Sequence, residues 1–253
     1  MQIFIISIEE ENSSRLKKFL SQPFFKDDLP AYTKIGVKGG ALTAKQYFEL
    51  AVKGRSNPLT PGELGCTLSH LNALQQFLDT EDKYALILED DAILRNDFTY
   101  KKLLRELNNI DLPQNLLLSI GGIQMKLCRK IRGKYCSFEL FNKKILEIAP
   151  DFYHRVNYTV SYIVDRQMAE TLLAYHQPIR RTDDWSYLYD FDCSVKLFMT
   201  YLVDHPVIEK GEINQELSLI EHERVASLDI LKSKYGTNFR RNLAKLMNEK
   251  YMI

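Results

Sequence analysis

Short apolar runs alternate with longer polar segments of helical spacing along most of the chain. Four of these runs are "IFIISI" (3–8), "YALIL" (84–88), "NLLLSI" (115–120) and "VNYTVSYIV" (156–164). Runs of this length predict buried strands, because helices are usually longer than about ten residues. Helical patterns follow three of the runs, so the chain favours a single α/β domain with a mainly parallel central sheet. The Lys-rich stretch 126–147 predicts additional β-structure or a flexible loop.

The segment "TPGELGCTLSHLNALQQFL" (60–78) predicts a helix with a well-defined start. Thr60 and Glu63 have the spacing of a capping box, and Pro61 occupies the first helical position, where its missing N–H costs nothing. One side of this helix carries small residues, namely Gly62, Cys66, Ser69 and Ala73. Two interpretations stay open: these residues pack against a neighbouring element, or they let a ligand approach the positive end of the helix dipole.

Three consecutive carboxylates, Glu89, Asp90 and Asp91, follow the strand predicted at 84–88. Open α/β sheets bind ligands at the carboxyl ends of their strands, so this position suits chemistry. Two carboxylates about 4 Å apart repel each other by roughly 1 kcal/mol in water and by about 4 kcal/mol at an effective dielectric constant of 20. The crowding predicts a raised pKa or a divalent cation such as Mn²⁺ or Mg²⁺. Because strand side chains alternate, we expect Glu89 and Asp91 to share the cation and Asp90 to point away.

Composition and charge exclude several classes of function. The 34 Lys and Arg residues nearly balance the 33 Asp and Glu residues, so no basic excess indicates nucleic-acid binding. The four cysteines form no C-x-x-C pair, and "MQIFIISI" (1–8) lacks the basic start of a signal peptide. No apolar run approaches the roughly 20 residues of a membrane-spanning helix. We therefore expect a cytoplasmic protein whose contact with the inner face of the cell membrane, if any, is peripheral.

The end of the chain differs from the rest, and we expect a basic helical segment at 223–253 after a main domain at 1–222. In the last 30 residues, seven Lys and Arg residues face only two Asp and Glu residues. Apolar residues recur beside them at helical spacing, namely Phe239, Leu243, Leu246 and Met247. Two interpretations stay open: the helix packs on the domain, or it rests on an anionic membrane.

Several motifs occur in order along the chain: "LTPGELGCTLSHLNAL" (59–74), "YALILEDDAIL" (84–94), "YTVSYIVDRQMAETLL" (158–173) and "RRTDDW" (180–185). Together they resemble glycosyltransferase family 25, which contains bacterial lipooligosaccharide glycosyltransferases and is related to the collagen galactosyltransferases. The resemblance implies a GT-A-like, Rossmann-like nucleotide-sugar-binding domain, a UDP-sugar donor, a Mn²⁺ or Mg²⁺ ion at the E-D-D and inversion at the anomeric carbon. The segment 31–43 departs from the family pattern.

The residue pattern and the resemblance together suggest how the donor is held. A cation at Glu89 and Asp91 would neutralise the leaving diphosphate, while uracil and ribose lie between the first strand and the helix at 60–78. His205 is a further candidate metal ligand, because the resemblance implies one late in the sequence; it could instead bond a local carbonyl. The candidate donor contacts are Ser7, Ile8, Glu9, Thr60, Glu63, Ser69, His70 and Asp90.

An inverting transfer also needs a base for the acceptor hydroxyl. Asp183 and Asp184 of "RRTDDW" are the candidates, with Asp184 preferred, although the pair could instead cap a helix or form an ion pair. Trp185 and Tyr187 follow at period two and could face one side as a platform for an acceptor sugar. Aromatic residues in such positions also pack in cores.

These expectations describe an inverting, metal-dependent glycosyltransferase. It would move a hexose, galactose before glucose, from a UDP-sugar to a lipooligosaccharide or lipopolysaccharide acceptor and form a β-linkage. Two alternatives stay open. A sugar nucleotidyltransferase would release pyrophosphate, and a glycan-binding or scaffold protein would keep the fold without turnover.

Overall fold

The computed structural model describes residues 1–26, 30–125, 128–206 and 237–252. The strands described there form one sheet. In chain order they are β1 (Gln2–Ile6), β2 (Thr33–Ile35), β3 (Tyr84–Glu89), β4 (Ile93–Leu94), β5 (Leu116–Gly121), β6 (Arg132–Leu140), β7 (Lys143–Ile148), β8 (Ser161–Asp165), β9 (Lys196–Asp204) and β10 (Glu249–Lys250). The order across the sheet is β10-β6-β7-β9-β5-β8-β3-β1-β2, and β4 pairs with β9.

Helices cover both faces of this sheet. They are α1 (Ser14–Leu20), α2 (Pro23–Lys26), α3 (Ala44–Tyr47), α4 (Pro61–Leu78), α5 (Tyr100–Asn108), α6 (Arg166–Tyr175), α7 (Leu188–Phe191) and α8 (Asn238–Met247). Side chains from α4 and α6 join one apolar core with Phe4 and Ile87, whereas α1, α2 and α5 join a second core with Ile3 and Leu86. Successive strand residues therefore face opposite cores, which explains why the central strands are apolar throughout.

The sheet is mixed, so the expectation of a mainly parallel sheet is wrong. Parallel pairs join β1 to β2, β1 to β3 and β5 to β9, whereas β8 is antiparallel to both β3 and β5. The chain between β5 and β8 contains the antiparallel pair β6 and β7 instead of a single crossover helix. β5 and β8 are therefore not joined as a βαβ unit, in which the two strands run parallel. An apolar run fits a buried strand of either direction, so the sequence of β8 could not reveal it.

The predicted start of α4 is confirmed. The Thr60 hydroxyl accepts a hydrogen bond from the Glu63 N–H at 3.1 Å, and the Glu63 carboxylate accepts one from the Thr60 N–H at 3.0 Å. The small side chain of Ser69 accepts a hydrogen bond from the Val37 N–H at 2.8 Å. Gly65 lies against the backbone of residues 37–39. At these positions the helix receives a neighbouring chain segment, as the packing interpretation predicts.

The C-terminal segment is bound to the far edge of the sheet. The predicted helix is present as α8, and β10 pairs with β6, which the sequence did not predict. The proposed boundary at 222/223 lies outside the described residues. The strands β6 and β7 confirm the β-structure expected in 126–147. No helix in the described ranges has the length and apolar character needed to cross a bilayer.

Gly65→Ala should lower the free energy of unfolding by about 1–3 kcal/mol. The added Cβ would lie 2.5 Å from the Val37 carbonyl oxygen and 2.7 Å from the Gly39 nitrogen, so the packed segment must shift. Urea denaturation followed by circular dichroism measures the effect. Gly40→Ala is the control, because a Cβ there meets no atom within 4 Å. Equal losses in both variants would contradict the close approach of α4 to residues 37–39.

Candidate active site

The three consecutive carboxylates lie in a turn at the end of β3. The strand ends at Glu89, so strand alternation does not set the directions of Asp90 and Asp91. The Glu89 N–H donates to the carbonyl of Val160 at 2.9 Å, and the Asp90 N–H donates to the carbonyl of Ile6 at 3.2 Å. Backbone bonds to the ends of two neighbouring elements therefore hold the turn in place.

Asp90 and Asp91 share a counter-charge from α1. Arg15 Nε donates to Asp90 Oδ1 at 2.7 Å, and Arg15 Nη2 lies 3.4 Å from Asp91 Oδ2. The Ser7 hydroxyl donates to Asp90 Oδ2 at 2.5 Å. On the other side, His205 Nε2 lies 3.6 Å from Asp91 Oδ2. Arg15 thus supplies one positive charge to a turn that carries three carboxylates.

Glu89 is held by hydrogen bonds to residues of α4 and of the segment before β8. Its Oε1 atom accepts a bond from the Thr159 hydroxyl at 2.6 Å and lies 3.2 Å from His70 Nε2. The other His70 nitrogen lies 2.9 Å from the Tyr162 hydroxyl, and the two rings stack. Burial alone would raise the pKa of Glu89, but these hydrogen bonds and the neighbouring histidines outweigh it and lower the pKa to about 2.

Asp91 is in the opposite situation. Burial, reinforced by the charge of Glu89, raises its pKa to about 6, although His205 and Arg15 oppose the shift. Within the described part of the chain, its Oδ1 atom is buried and has no hydrogen-bond partner. A carboxylate in this position favours either a proton or an additional cation.

His205 is oriented by its own backbone. Its Nδ1 atom lies 2.8 Å from the Pro206 carbonyl oxygen, which can only accept a hydrogen bond. Nδ1 must therefore carry a proton, and in the neutral ring the lone pair is on Nε2, the nitrogen that faces Asp91. The Tyr158 ring packs beside the imidazole with the ring centroids 5.6 Å apart. This orientation suits a metal-binding imidazole.

A second group of metal-ligating side chains lies beside Glu89. Among the described residues, Cys66, His70 and Glu89 are the group whose three ligand atoms lie within 4.8 Å of one another. Both His70 nitrogens already have partners, and the Thr182 hydroxyl donates to Cys66 Sγ at 3.4 Å. We interpret this group as a hydrogen-bonded support for the acidic turn. The three predicted metal ligands, Glu89, Asp91 and His205, do not lie this close to one another.

A cavity of about 670 Å³ opens beside the aspartates. Asp90 and Asp91 line it together with Arg15 and Lys18 from α1 and with Pro206. The sequence reasoning missed both basic residues. The position of Arg15 in the first turn of the helix after β1 could have indicated it, because this places it at the same sheet edge as the carboxylates. Lys18 lies in the last turn of that helix.

The other candidate donor contacts differ in their surroundings. The Ser7 hydroxyl serves Asp90 and also accepts a bond from the Glu9 N–H at 3.1 Å, while Ile8 is exposed beside them. Thr60 and Glu63 bond each other in the capping box. Ser69 is buried between α4 and the segment 37–39. His70 is buried and reaches the site through Glu89.

The two candidate bases occupy different places. Asp183 is buried, its Oδ2 atom accepts a weak bond from the Tyr158 N–H at 3.4 Å, and its Oδ1 atom lies 3.8 Å from Arg181 Nη2. Asp184 instead accepts a bond from the Ser186 N–H at 3.3 Å within its own loop. Since Tyr158 also packs against His205, Asp183 is connected to the acidic turn more directly than Asp184.

The two aromatic candidates for acceptor binding do not share a surface. Trp185 is 3% exposed and packs against His176, whereas Tyr187 is 56% exposed. The period-two platform does not form, because the segment enters a helix at Leu188 instead of continuing as a strand, and Trp185 packs in the core as the alternative interpretation predicts. Contact of Tyr187 with an acceptor stays a prediction.

Comparison with known proteins points to one family. The sequence model described as "Glycosyltransferase family 25 (LPS biosynthesis protein)" matches residues 1–191. "Procollagen galactosyltransferase 2" from Homo sapiens is 29% identical over 121 residues, which cover 45% of this chain and 19% of that protein. "Procollagen galactosyltransferase 1" from Danio rerio is 30% identical over 139 residues, which cover 51% of this chain and 22% of that protein. The match thus spans about a fifth of the length of these relatives.

Asp91→Asn should raise the free energy of unfolding of the metal-free protein at pH 7.5, on the order of 1–3 kcal/mol. Above pH 6 the folded protein must keep Asp91 ionised at a site that favours the neutral acid, since its pKa is raised from 3.8 to about 6. The amide removes this cost. Below the unfolded pKa, the acid is protonated in both states and the difference should disappear. Urea denaturation at pH 7.5 and pH 3.5 measures both values.

Glu89→Gln is the matched control, and its effect should have the opposite sign. Because the pKa of Glu89 is lowered from 4.5 to about 2, its ionised form stabilises the fold above pH 4.5, and this stabilisation is lost as the pH falls toward 2. The variant should therefore be less stable than the parent protein at pH 7.5. Destabilisation by both substitutions would contradict the different states assigned to the two carboxylates.

Proposed function

We propose, because the chain belongs to glycosyltransferase family 25, that it is an inverting, metal-dependent hexosyltransferase with a GT-A-like fold. The donor is a UDP-sugar, with galactose before glucose, and the acceptor is a lipooligosaccharide or lipopolysaccharide glycan that receives a β-linked sugar. The observation that carries the proposal is the pairing of Asp91 with His205 at 3.6 Å, beside a cavity that Arg15 also lines. The two partners of Glu89 Oε1, Thr159 and His70, support the division of roles proposed next.

The side chains at Asp91 and His205 fit a divalent ion. Asp91 has a buried oxygen without a partner among the described residues, and His205 directs Nε2 toward the same carboxylate. One carboxylate and one imidazole, completed by water and phosphate oxygens, form an acceptable donor set for Mn²⁺ or Mg²⁺. When bound, such an ion would supply Lewis-acid stabilisation of the leaving diphosphate. Glu89 then acts from outside this shell by fixing the turn.

The residues of α1 would hold the diphosphate itself. Arg15 lies at the cavity wall with contacts to Asp90 and Asp91, and Lys18 lies one turn further along the same helix. A guanidinium presents several N–H donors in a fixed plane, which suits phosphate oxygens. A diphosphate bound to Arg15 would place its negative charge beside the two basic side chains of α1 that line the cavity.

Asp183 is our candidate for the base. Its Oδ1 atom is buried and has no hydrogen-bond partner in the described ranges. Its Oδ2 atom accepts a hydrogen bond from the Tyr158 N–H, and the Tyr158 ring contacts His205. Asp183 would take the proton of the acceptor hydroxyl as that oxygen attacks the anomeric carbon. The new glycosidic bond forms while the bond to the diphosphate breaks on the opposite face, and UDP leaves with the electron pair. Attack on the face opposite the leaving group inverts the configuration of the anomeric carbon.

The comparisons support the sugar and the acceptor only by analogy. The matched relatives are described as galactosyltransferases, which favours galactose as the transferred sugar. The family description refers to lipopolysaccharide biosynthesis, which favours a bacterial cell-surface glycan. A panel of UDP-sugars with such acceptors would show UDP release for this reaction, whereas pyrophosphate release would identify a nucleotidyltransferase.

Asp183→Asn should lower kcat at least about 100-fold and leave the KM for the UDP-sugar nearly unchanged, because the amide cannot accept the proton. Product formation followed by chromatography gives both constants. Asp184→Asn is the matched control and should keep most of the activity. A large loss of kcat in the Asp184 variant with a near-normal Asp183 variant would assign the base to Asp184.

His205→Gln should raise the Mn²⁺ concentration needed for half-maximal activity by about tenfold or more, because the amide is a weaker ligand than imidazole. Titration of Mn²⁺ at saturating donor measures this shift. His154→Gln is the control, since His154 lies in the 3₁₀ turn Pro150–Arg155 near Arg241. Unchanged Mn²⁺ dependence in the His205 variant would remove His205 from the metal shell.

A further inference from the structure

The helix α8 turns apolar side chains outward. Phe239 is 78% exposed, Leu246 is 85% exposed and Met247 is 70% exposed, and Leu243 and Met252 add to the same segment. These are among the largest exposures of apolar side chains in the described residues. A concentration of such side chains on one short segment is typical of a surface that contacts a partner.

The helix is nevertheless fixed to the domain. Ala244 packs on the core, and Arg240 Nε lies 2.6 Å from Asp151 Oδ1. Directly after the helix, β10 pairs with β6, and the buried Tyr251 accepts a hydrogen bond from the Tyr201 N–H at 3.0 Å. The apolar side chains therefore belong to an ordered part of the molecule with a defined orientation relative to the sheet.

Basic side chains lie on the other side of α8 and in the segment that follows it. Arg241 and Lys245 lie on α8 itself, and Arg155 lies close enough to Arg241 for their charges to repel. Next to the helix, a cavity of about 970 Å³ is lined by four basic side chains and one acidic side chain, Glu249. The basic ones are Arg129, Lys143, Lys144 and Lys250.

We propose that α8 and the adjoining basic cavity form a docking surface for an anionic lipid bilayer, with Phe239, Leu246 and Met247 inserted among the lipids. This surface is named the α8 surface here. A helix with an apolar face and with Lys and Arg on its other side has the composition of interfacial helices, which combine buried apolar area with attraction to acidic headgroups. Charge favours a bilayer over a second copy of the chain, because two copies of the α8 surface would bring like charges together.

The α8 surface also lies near the candidate active site. Gln124 lines the basic cavity, and its side-chain amide donates to the His205 carbonyl at 3.1 Å. A bilayer held at this surface would therefore bring lipid-linked glycans close to the end of β9. This consequence rests on the proposed function, whereas docking to the bilayer does not.

The test is flotation of the full chain with lipid vesicles, without any transferase reaction. Phe239→Ser combined with Leu246→Ser should weaken binding to vesicles containing phosphatidylglycerol by about tenfold or more. Arg241→Gln combined with Lys245→Gln should weaken it by roughly 25-fold, about fivefold for each neutralised residue, and less so at high salt. Vesicles of phosphatidylcholine alone should bind the parent protein weakly.

Matched controls come from exposed residues outside the α8 surface. Phe48→Ser removes a half-exposed apolar side chain and Lys45→Gln removes a charge, and neither should change flotation. Equal flotation of all variants, or equal binding to neutral and anionic vesicles, would overturn the proposal. The proposal would also be overturned if the parent protein did not bind vesicles and instead formed a dimer that Leu246→Ser dissociates. Since catalysis is not measured, failure of this test would leave the proposed transferase reaction standing.

Discussion

The crowding of three carboxylates at the end of β3 is the constraint on which the site depends. Side chains from four parts of the chain contact these carboxylates: Arg15 of α1, His70 of α4, Thr159 before β8 and His205 at the end of β9. These elements are far apart in sequence and meet because β1, β3 and β8 are neighbours in the sheet and because β4, just after the acidic turn, pairs with the end of β9. The fold thus stabilises the acidic turn by placing hydrogen-bond donors and the positive charge of Arg15 next to its carboxylates.

The structure separates the carboxylates into two states. Hydrogen bonds from His70 and Thr159 keep Glu89 ionised and lower its pKa, whereas burial and the neighbouring negative charge raise the pKa of Asp91. Neighbouring carboxylates with pKa values pushed apart are typical of sites where one group supports and the other reacts. We infer that Glu89 holds the turn and that Asp91, with His205, is the part completed by an ion.

Local rules predicted much of this structure, and long-range arrangement escaped them. The capping box at Thr60 and the buried central strands were predictable, because each depends on a few neighbouring residues. The direction of β8 was not, since an apolar strand fits either direction. Arg15 was missed because its partners are about 75 residues away. Of the two interpretations of Trp185 and Tyr187, the platform does not form because a helix follows. The grouping of Asp91 with His205 needed the tertiary fold.

The central claim is that Asp91, His205 and Arg15 form a site that an ion and the donor diphosphate complete together. Binding of Mn²⁺ measured by electron paramagnetic resonance, with and without UDP, tests it most directly. Because each ligand would supply part of the other's binding site, UDP should tighten Mn²⁺ binding by about tenfold or more, and Mn²⁺ should tighten UDP binding by the same factor. Mn²⁺ affinity that is independent of UDP, or UDP binding that needs no metal, would contradict the claim.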